Sequence, residues 1–218
     1  MEQTPGISIP LLRANDGAQI QEISNVMDRL PPIPIRYSPW PGPVELPKAA
    51  FVMAHGQQAI HLKYYINEPT IKAEYLNFND PVFKDSCVEF FVAFDDDPKY
   101  YNLEFNCVGT CRGQYGISKT EREFLPPSLL GTIKHQTCIK GRGNEQIEWE
   151  LTLTIPLEVF RYHPGLSLET CKAKGNFYKC GDGLPEPHYL CWSNISAAYP
   201  EFHLTDFFKE IKFEGNVH

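Results

Sequence analysis

Residues 85–109, DSCVEFFVAFDDDPKYYNLEFNCVG, limit the possible folds more than any other stretch. An acidic turn closed by proline separates two runs of alternating side chains. Val88, Phe90, Val92 and Phe94 fall on one side of the first run, and Leu103, Phe105 and Cys107 on one side of the second. Successive strand residues point to opposite faces, so this row predicts a core-facing pair of strands. The opposite row carries Glu89, Glu104, Asn102 and Asn106. One packed face and one face of carboxylates and amides suit a hydroxyl-rich ligand, because those oxygens accept from sugar O–H groups. An ordinary solvated sheet face shows the same alternation.

The rest of the chain extends the β pattern. Residues 59–67 place Ile60, Leu62, Tyr64 and Ile66 on one side and His61, Lys63 and Tyr65 on the other, and residues 70–78 continue with Ile71, Ala73 and Tyr75. Further strands are predicted near 86–94, 100–108, 112–118, 131–140 and 145–155. In the last of these, Ile147, Trp149, Leu151, Leu153 and Ile155 form one apolar row, ended at Pro156, which has no amide to donate. Shorter strands are predicted near 175–180, 188–193 and 207–213. Ile20, Ile23, Val26, Met27 and Leu30 are spaced for one short helix within 16–30. The proline-rich stretch 31–47 reads as a segment that wraps the domain. Together these predict one all-β domain over residues 1–218, an antiparallel β-sandwich with a short N-terminal helix and a wrapping segment within 1–47.

Composition removes several function classes. The net charge is −7, and basic residues gather no more closely than Lys172 and Lys174, so no stripe exists to displace counterions from nucleic acid. No apolar run reaches the roughly 18 residues of a membrane-spanning helix. No secretory signal is visible at the N-terminus, and seven cysteines is an odd number, so reduced thiols in a reducing compartment are expected.

Four motifs follow these strands in order: DSCVEFF at 85–91, YYNLEFNCVGT at 100–110, WELTLTIP at 149–156 and GNFYKCGDGLPEPHYLCW at 175–192, with EFHLTDFFKEIKFE closing at 201–214. In this order the chain resembles the family 9 carbohydrate-binding modules, in their stand-alone Bacteroidetes-type branch, from about residue 20 to 214. The resemblance implies a β-sandwich related to DOMON-type domains and an oligo- or polysaccharide ligand held between two aromatic rings. It also implies structural calcium in some relatives. Carried over by position, the rings fall on Phe83 and Trp192 and the acidic contact on Glu89. Many relatives have Trp where Phe83 stands, which predicts weaker stacking, and Glu104 replaces a basic residue of the xylanase-attached modules.

Each candidate has a plainer reading beside it. Trp192 is a sugar platform or a core ring, Trp40 a packing anchor for the wrapping segment, and Trp149 a core residue. Asp95–Asp97 reads as a solvated hairpin turn, with calcium as the alternative. Cys180, His188 and Cys191 lack the paired knuckles of structural zinc and read as part of a tight loop. Arg122, with Arg112 and Lys119, is placed to donate to hydroxyls or simply to meet solvent. The leading function is non-catalytic carbohydrate binding through Phe83, Glu89, Glu104, Asn106, Arg122 and Trp192, with no required cofactor. One alternative is a glycoside hydrolase whose carboxyls, Glu89 and Glu104, stand roughly 5–5.5 Å or 6.5–9.5 Å apart. Another is a protein-interaction or haem-binding domain with His55 or His61 as axial ligand.

Overall fold

The row ending at Pro156 forms the strand its pattern predicts. In the computed structural model, which describes residues 4–12, 18–142 and 146–215, Trp149, Leu151, Leu153 and Ile155 are fully buried. In chain order the strands are β1 (Ile7–Ile9), β2 (Ile33–Ile35), β3 (Lys48–His55), β4 (Ala59–Glu68), β5 (Cys87–Phe94), β6 (Tyr100–Asn106) and β7 (Cys111–Gly116). They continue as β8 (Arg122–Phe124), β9 (Lys134–Arg142), β10 (Gln146–Pro156), β11 (Ala173–Cys180), β12 (Tyr189–Cys191) and β13 (Lys209–Phe213). One sheet runs β2-β3-β4-β10-β9; the other runs β1-β13-β11-β5-β6-β7-β8, with β12 also pairing β11. The two sheets face each other across Phe51, Leu62, Tyr64, Phe90, Leu103, Phe105, Leu151, Leu153 and Phe177. The fold is therefore the predicted β-sandwich. Its pairings are antiparallel except for β1 with β13, which is parallel.

The predicted helix is α1 (Ile20–Met27), and the start of the predicted range, residues 16 and 17, lies outside the described residues. Glu22 accepts the Gln19 backbone N–H at 3.2 Å, which satisfies one donor of the first turn. Ile23 and Met27 pack on Val52 and Ala54, so the helix covers the outer face of β3 and β4. Lys63 points outward, as its position in the strand requires, yet it is buried under this helix. Its Nζ reaches Ser24 Oγ at 3.0 Å, Asp28 Oδ1 at 2.5 Å and Glu150 Oε2 at 3.0 Å.

Residues 70–78 are not a strand, contrary to the alternation. Their backbone donors go to side chains instead of a ladder. Glu74 N–H donates to Asp85 Oδ1 at 3.0 Å, Tyr75 N–H to Asp85 Oδ2 at 3.1 Å, and Lys72 N–H to Ser86 Oγ at 3.1 Å. Asn106 Nδ2 also donates to Asp85 Oδ2, at 2.9 Å. A fully buried carboxylate thus organises a segment of which Ile71 and Ala73 still pack on the core, while Leu76 and Phe78 are exposed.

A second deviation lies inside the sandwich. Lys179 belongs to the inward row of β11 and is fully buried. Its Nζ meets Glu68 Oε2 of the opposite sheet at 2.9 Å and donates to the Cys180 carbonyl at 2.8 Å. Trp149 Nε1 donates to the other Glu68 oxygen at 2.7 Å. His188 Nε2 lies 2.9 Å from Lys179 Nζ and accepts from it, since an ammonium only donates. Burial, and then the lysine charge, lowers the His188 pKa to about 4. Lys179→Met leaves Glu68 buried without its cation and should cost about 3–5 kcal/mol in urea unfolding. Adding Glu68→Gln, which keeps an acceptor for Trp149, should restore most of that loss; a double variant as unstable as the single would contradict the assignment.

Candidate functional site

The polar row of residues 85–109 does not face solvent. Every residue of β5 and β6 is buried, on both sides of the sheet. Phe91, Ala93, Tyr100 and Tyr178 form a second apolar cluster there, covered by Trp40, Val82, Ile195, Phe202 and Phe208. Trp40 is the anchor of the wrapping segment: its Nε1 donates to the Ala197 carbonyl at 2.9 Å. The expected face of carboxylates and amides is therefore largely covered, with a pocket let into it. Phe91 and Ala93, apolar residues in the nominally polar row, are the reason.

Strand register places the floor of this pocket. Glu89 of β5 stands directly opposite Glu104 of β6, and Glu104 opposite Arg112 of β7. Directly opposed residues hold their side chains within contact range on one face. Gly116 of β7 pairs with Arg122 of β8, which brings Arg122 to the same face. Phe83 and Asp182 form one wall, where Asp182 N–H donates to the Phe83 carbonyl at 3.0 Å. Gly183 is needed in this wall, because a Cβ there would lie 2.6 Å from the Lys84 carbonyl oxygen. Tyr189, Phe202 and His203 complete the walls, with Lys119 and Glu201 at the mouth. The space, open mouth included, is about 530 Å³.

The floor is polar and only partly satisfied. Asn102 Nδ2 donates to Glu104 Oε1 at 2.9 Å, and Cys180 Sγ donates to Glu89 Oε1 at 3.1 Å. Glu104 Oε2 and Arg122 Nε are buried without a hydrogen-bond partner, although Arg112 Nε stands 3.8 Å from the former. Arg122 Nη1 donates to His203 Nε2 at 3.1 Å, so Nδ1 carries the imidazole proton and donates to the Tyr100 hydroxyl at 2.7 Å. Burial, and then Arg122, holds the His203 pKa down at about 2. Burial, reinforced by Glu104, pushes the Glu89 carboxyl well above its usual range. Burial also lifts Glu104, against the pull of Arg112 and Arg122, to about 7. At neutral pH the pair therefore holds at least one proton and offers both a donor and acceptors.

Of the residues singled out in the sequence, the fold gathers Phe83, Glu89, Glu104 and Arg122. It does not gather Asn106 or Trp192. Asn106 is committed to Asp85 and the Tyr75 carbonyl. Trp192 lies between the sheets, edge-on to Phe51 and Phe177 at centroid distances of 6.1 and 5.6 Å, so it is a core ring. The rings that do line the pocket, Tyr189 and Phe202, escape sequence reasoning because short β12 and an irregular segment carry them. Their one signal is nearness to Pro187 and Pro200, where loops end.

The other candidates separate. Cys191 Sγ turns to the Tyr37 carbonyl and His188 to Lys179, away from Cys180. Asp95 and Asp97 sit in the predicted turn and accept backbone N–H groups of Lys172 and Lys99. His55 Nε2 lies 2.9 Å from the Glu214 carbonyl and His61 Nδ1 3.1 Å from Thr154 Oγ1, so both axial candidates are bound internally. Among the described residues no helix is long and apolar enough to cross a membrane.

A β-sandwich with a ring-lined, carboxylate-floored pocket defines a small-molecule binding module. The chain belongs to carbohydrate-binding family 9, whose model matches residues 20–213. A candidate carbohydrate-binding protein from Bacteroides uniformis superposes with a TM-score of 0.88 at 32% identity, covering 96% of this chain and 99% of that one. A family 9 module from Caldicellulosiruptor kristjanssonii in complex with cellotriose matches with a TM-score of 0.60 at 12% identity, over 96% and 94% of the two chains. The same comparison with a glucose complex from that organism gives 0.56 at 10% identity, over 96% of each chain. No curated protein matches the chain.

The raised Glu104 carboxyl has a consequence for stability. A carboxyl whose pKa is higher in the folded than in the unfolded chain stabilises the fold below the unfolded value and loses that contribution as pH rises through the folded one. Glu104 should therefore make stability fall between about pH 4.5 and 7. Glu104→Gln should flatten this part of the profile, read as urea midpoints across the interval. An unchanged slope would show that Glu104 ionises as freely in the fold as outside it.

Proposed function

We propose that this chain binds a carbohydrate without cleaving it, in the pocket above Glu89 and Glu104, as part of polysaccharide utilisation. One observation carries the reading: buried polar atoms without protein partners, Glu104 Oε2 and Arg122 Nε, lie in the same small pocket as the rings of Phe83 and Tyr189. A pyranose matches both features. Its C–H face stacks on a ring, and its hydroxyls satisfy groups that otherwise stay desolvated. The carbohydrate-binding family, and the cellotriose and glucose held by its Caldicellulosiruptor members, support the ligand class. Affinity is expected to be modest, because each sugar hydroxyl exchanges water bonds for protein bonds. No cofactor is required by this arrangement.

A second reading, glycoside hydrolysis, draws on the same two opposed carboxyls, since a general acid also needs a raised pKa. Both readings are tested in one experiment: calorimetric titration with xylo-, cello- and manno-oligosaccharides, followed by analysis of each cell for products. Binding without product is expected. Phe83→Ala or Tyr189→Ala should weaken it by roughly three- to tenfold, the size of one lost stacking contact. Trp192→Ala should lower stability by about 3–5 kcal/mol while its folded fraction still binds. Silence from folded protein across the panel would defeat the proposal, and released product that disappears in Glu89→Gln would favour the hydrolase.

A further inference from the structure

At the floor of the pocket, two thiols converge on Glu89. Cys87 of β5 and Cys180 of β11 are direct cross-strand partners, and Glu89 follows Cys87 on the same face. Both sulfur atoms and a carboxylate oxygen of Glu89 lie within 4.8 Å of one another, and all three residues are buried. Among the described residues this is the one place where three ligand atoms of this kind converge. Glu89 and Cys180 also line the pocket, so a route from solvent reaches the group.

We propose that Cys87, Cys180 and Glu89 form a binding site for a thiophilic divalent cation of the zinc class. Two thiolates and one carboxylate are a donor set such ions favour over hard cations, which prefer oxygen alone. Three protein ligands leave the fourth tetrahedral position facing the pocket, as in sites that keep one position open. Binding converts two thiols to thiolates and displaces the proton that Glu89 holds, so three protons leave the ligands. Three anionic ligands against one dication leave a single negative charge. Without the ion, burial pushes the Cys87 thiol up to about 12, so it stays protonated.

The two sites share Glu89, but the test reads metal alone, because its signal comes from sulfur–metal bonds and needs no sugar. Cadmium, added to the reduced full-length chain, gives ultraviolet charge-transfer absorption when thiolates ligate it. Cys138 and Cys171 are half-exposed and are first changed to serine to remove competing thiols. The band should then saturate at one equivalent and be displaced by zinc. Cys180→Ser should abolish it, and Glu89→Gln should weaken cadmium by at least about tenfold, the lower bound for disturbing even an outer-shell group. Glu89→Gln keeps both thiols and nearly the same shape, so its cadmium affinity decides the matter if the serine variant does not fold. No saturable band in the parent protein, or one of equal affinity in Glu89→Gln, would overturn the proposal.

Discussion

The ion pair between Lys179 and Glu68 joins the two sheets through a directional contact. Each partner comes from a different sheet, and water is excluded from both. Burying one of these charges alone would be prohibitive, so each side chain is tolerable only because the other sheet is already in place. Trp149 and His188 spend their own polar atoms on the same cluster. The relative placement of the sheets is thus specified by a directional contact as well as by packing. Since Lys179 immediately precedes Cys180 and its ammonium bonds that residue's carbonyl, the inter-sheet contact also fixes the edge of the pocket.

The pocket itself is a product of register. Arg112, Glu104, Glu89 and Tyr178 stand in one row across four strands, and Asn106, Cys87, Cys180 and Tyr189 in the next. A shift of any strand by one residue would send its members of both rows into the core. The inward residues Val88, Phe90, Leu103 and Phe105 forbid such a shift, because they would surface in exchange. Core packing on one face therefore positions polar chemistry on the other. The cover over that face, with Trp40 and Phe202 in it, leaves open the space above the two glutamates.

Much of the sandwich is legible in the sequence because its inner rows alternate cleanly. Residues 147–155 and 60–66 show the period of two, and both are strands, paired as β10 and β4. The strand β3 is hidden for the opposite reason: Phe51, Val52, Met53 and Ala54 are apolar without interruption, since the core takes one side and α1 the other. Prolines conceal β2, and side-chain acceptors replace a ladder at residues 70–78. In the site, Glu89 and Glu104 can be read as neighbours because they share a hairpin of simple register. Trp192 cannot be told from a surface ring, because an indole in a short strand carries no mark of which face it takes. Tyr189 and Phe202 reach the pocket through long-range contacts that no local period encodes.

The parallel pairing of β1 with β13 gives the sandwich an unusual order of completion. In its sheet β1 touches only β13, and β13 fills the gap between β1 and β11. On a ribosome, residues 7–9 would wait for some two hundred later residues before finding their neighbours. Until then the edge of β11 beside Gly175 would stay uncovered, with free backbone groups able to pair with another nascent chain. β13 thus acts as a latch, and a chain lacking residues 209–213 would present a sticky edge that this strand conceals.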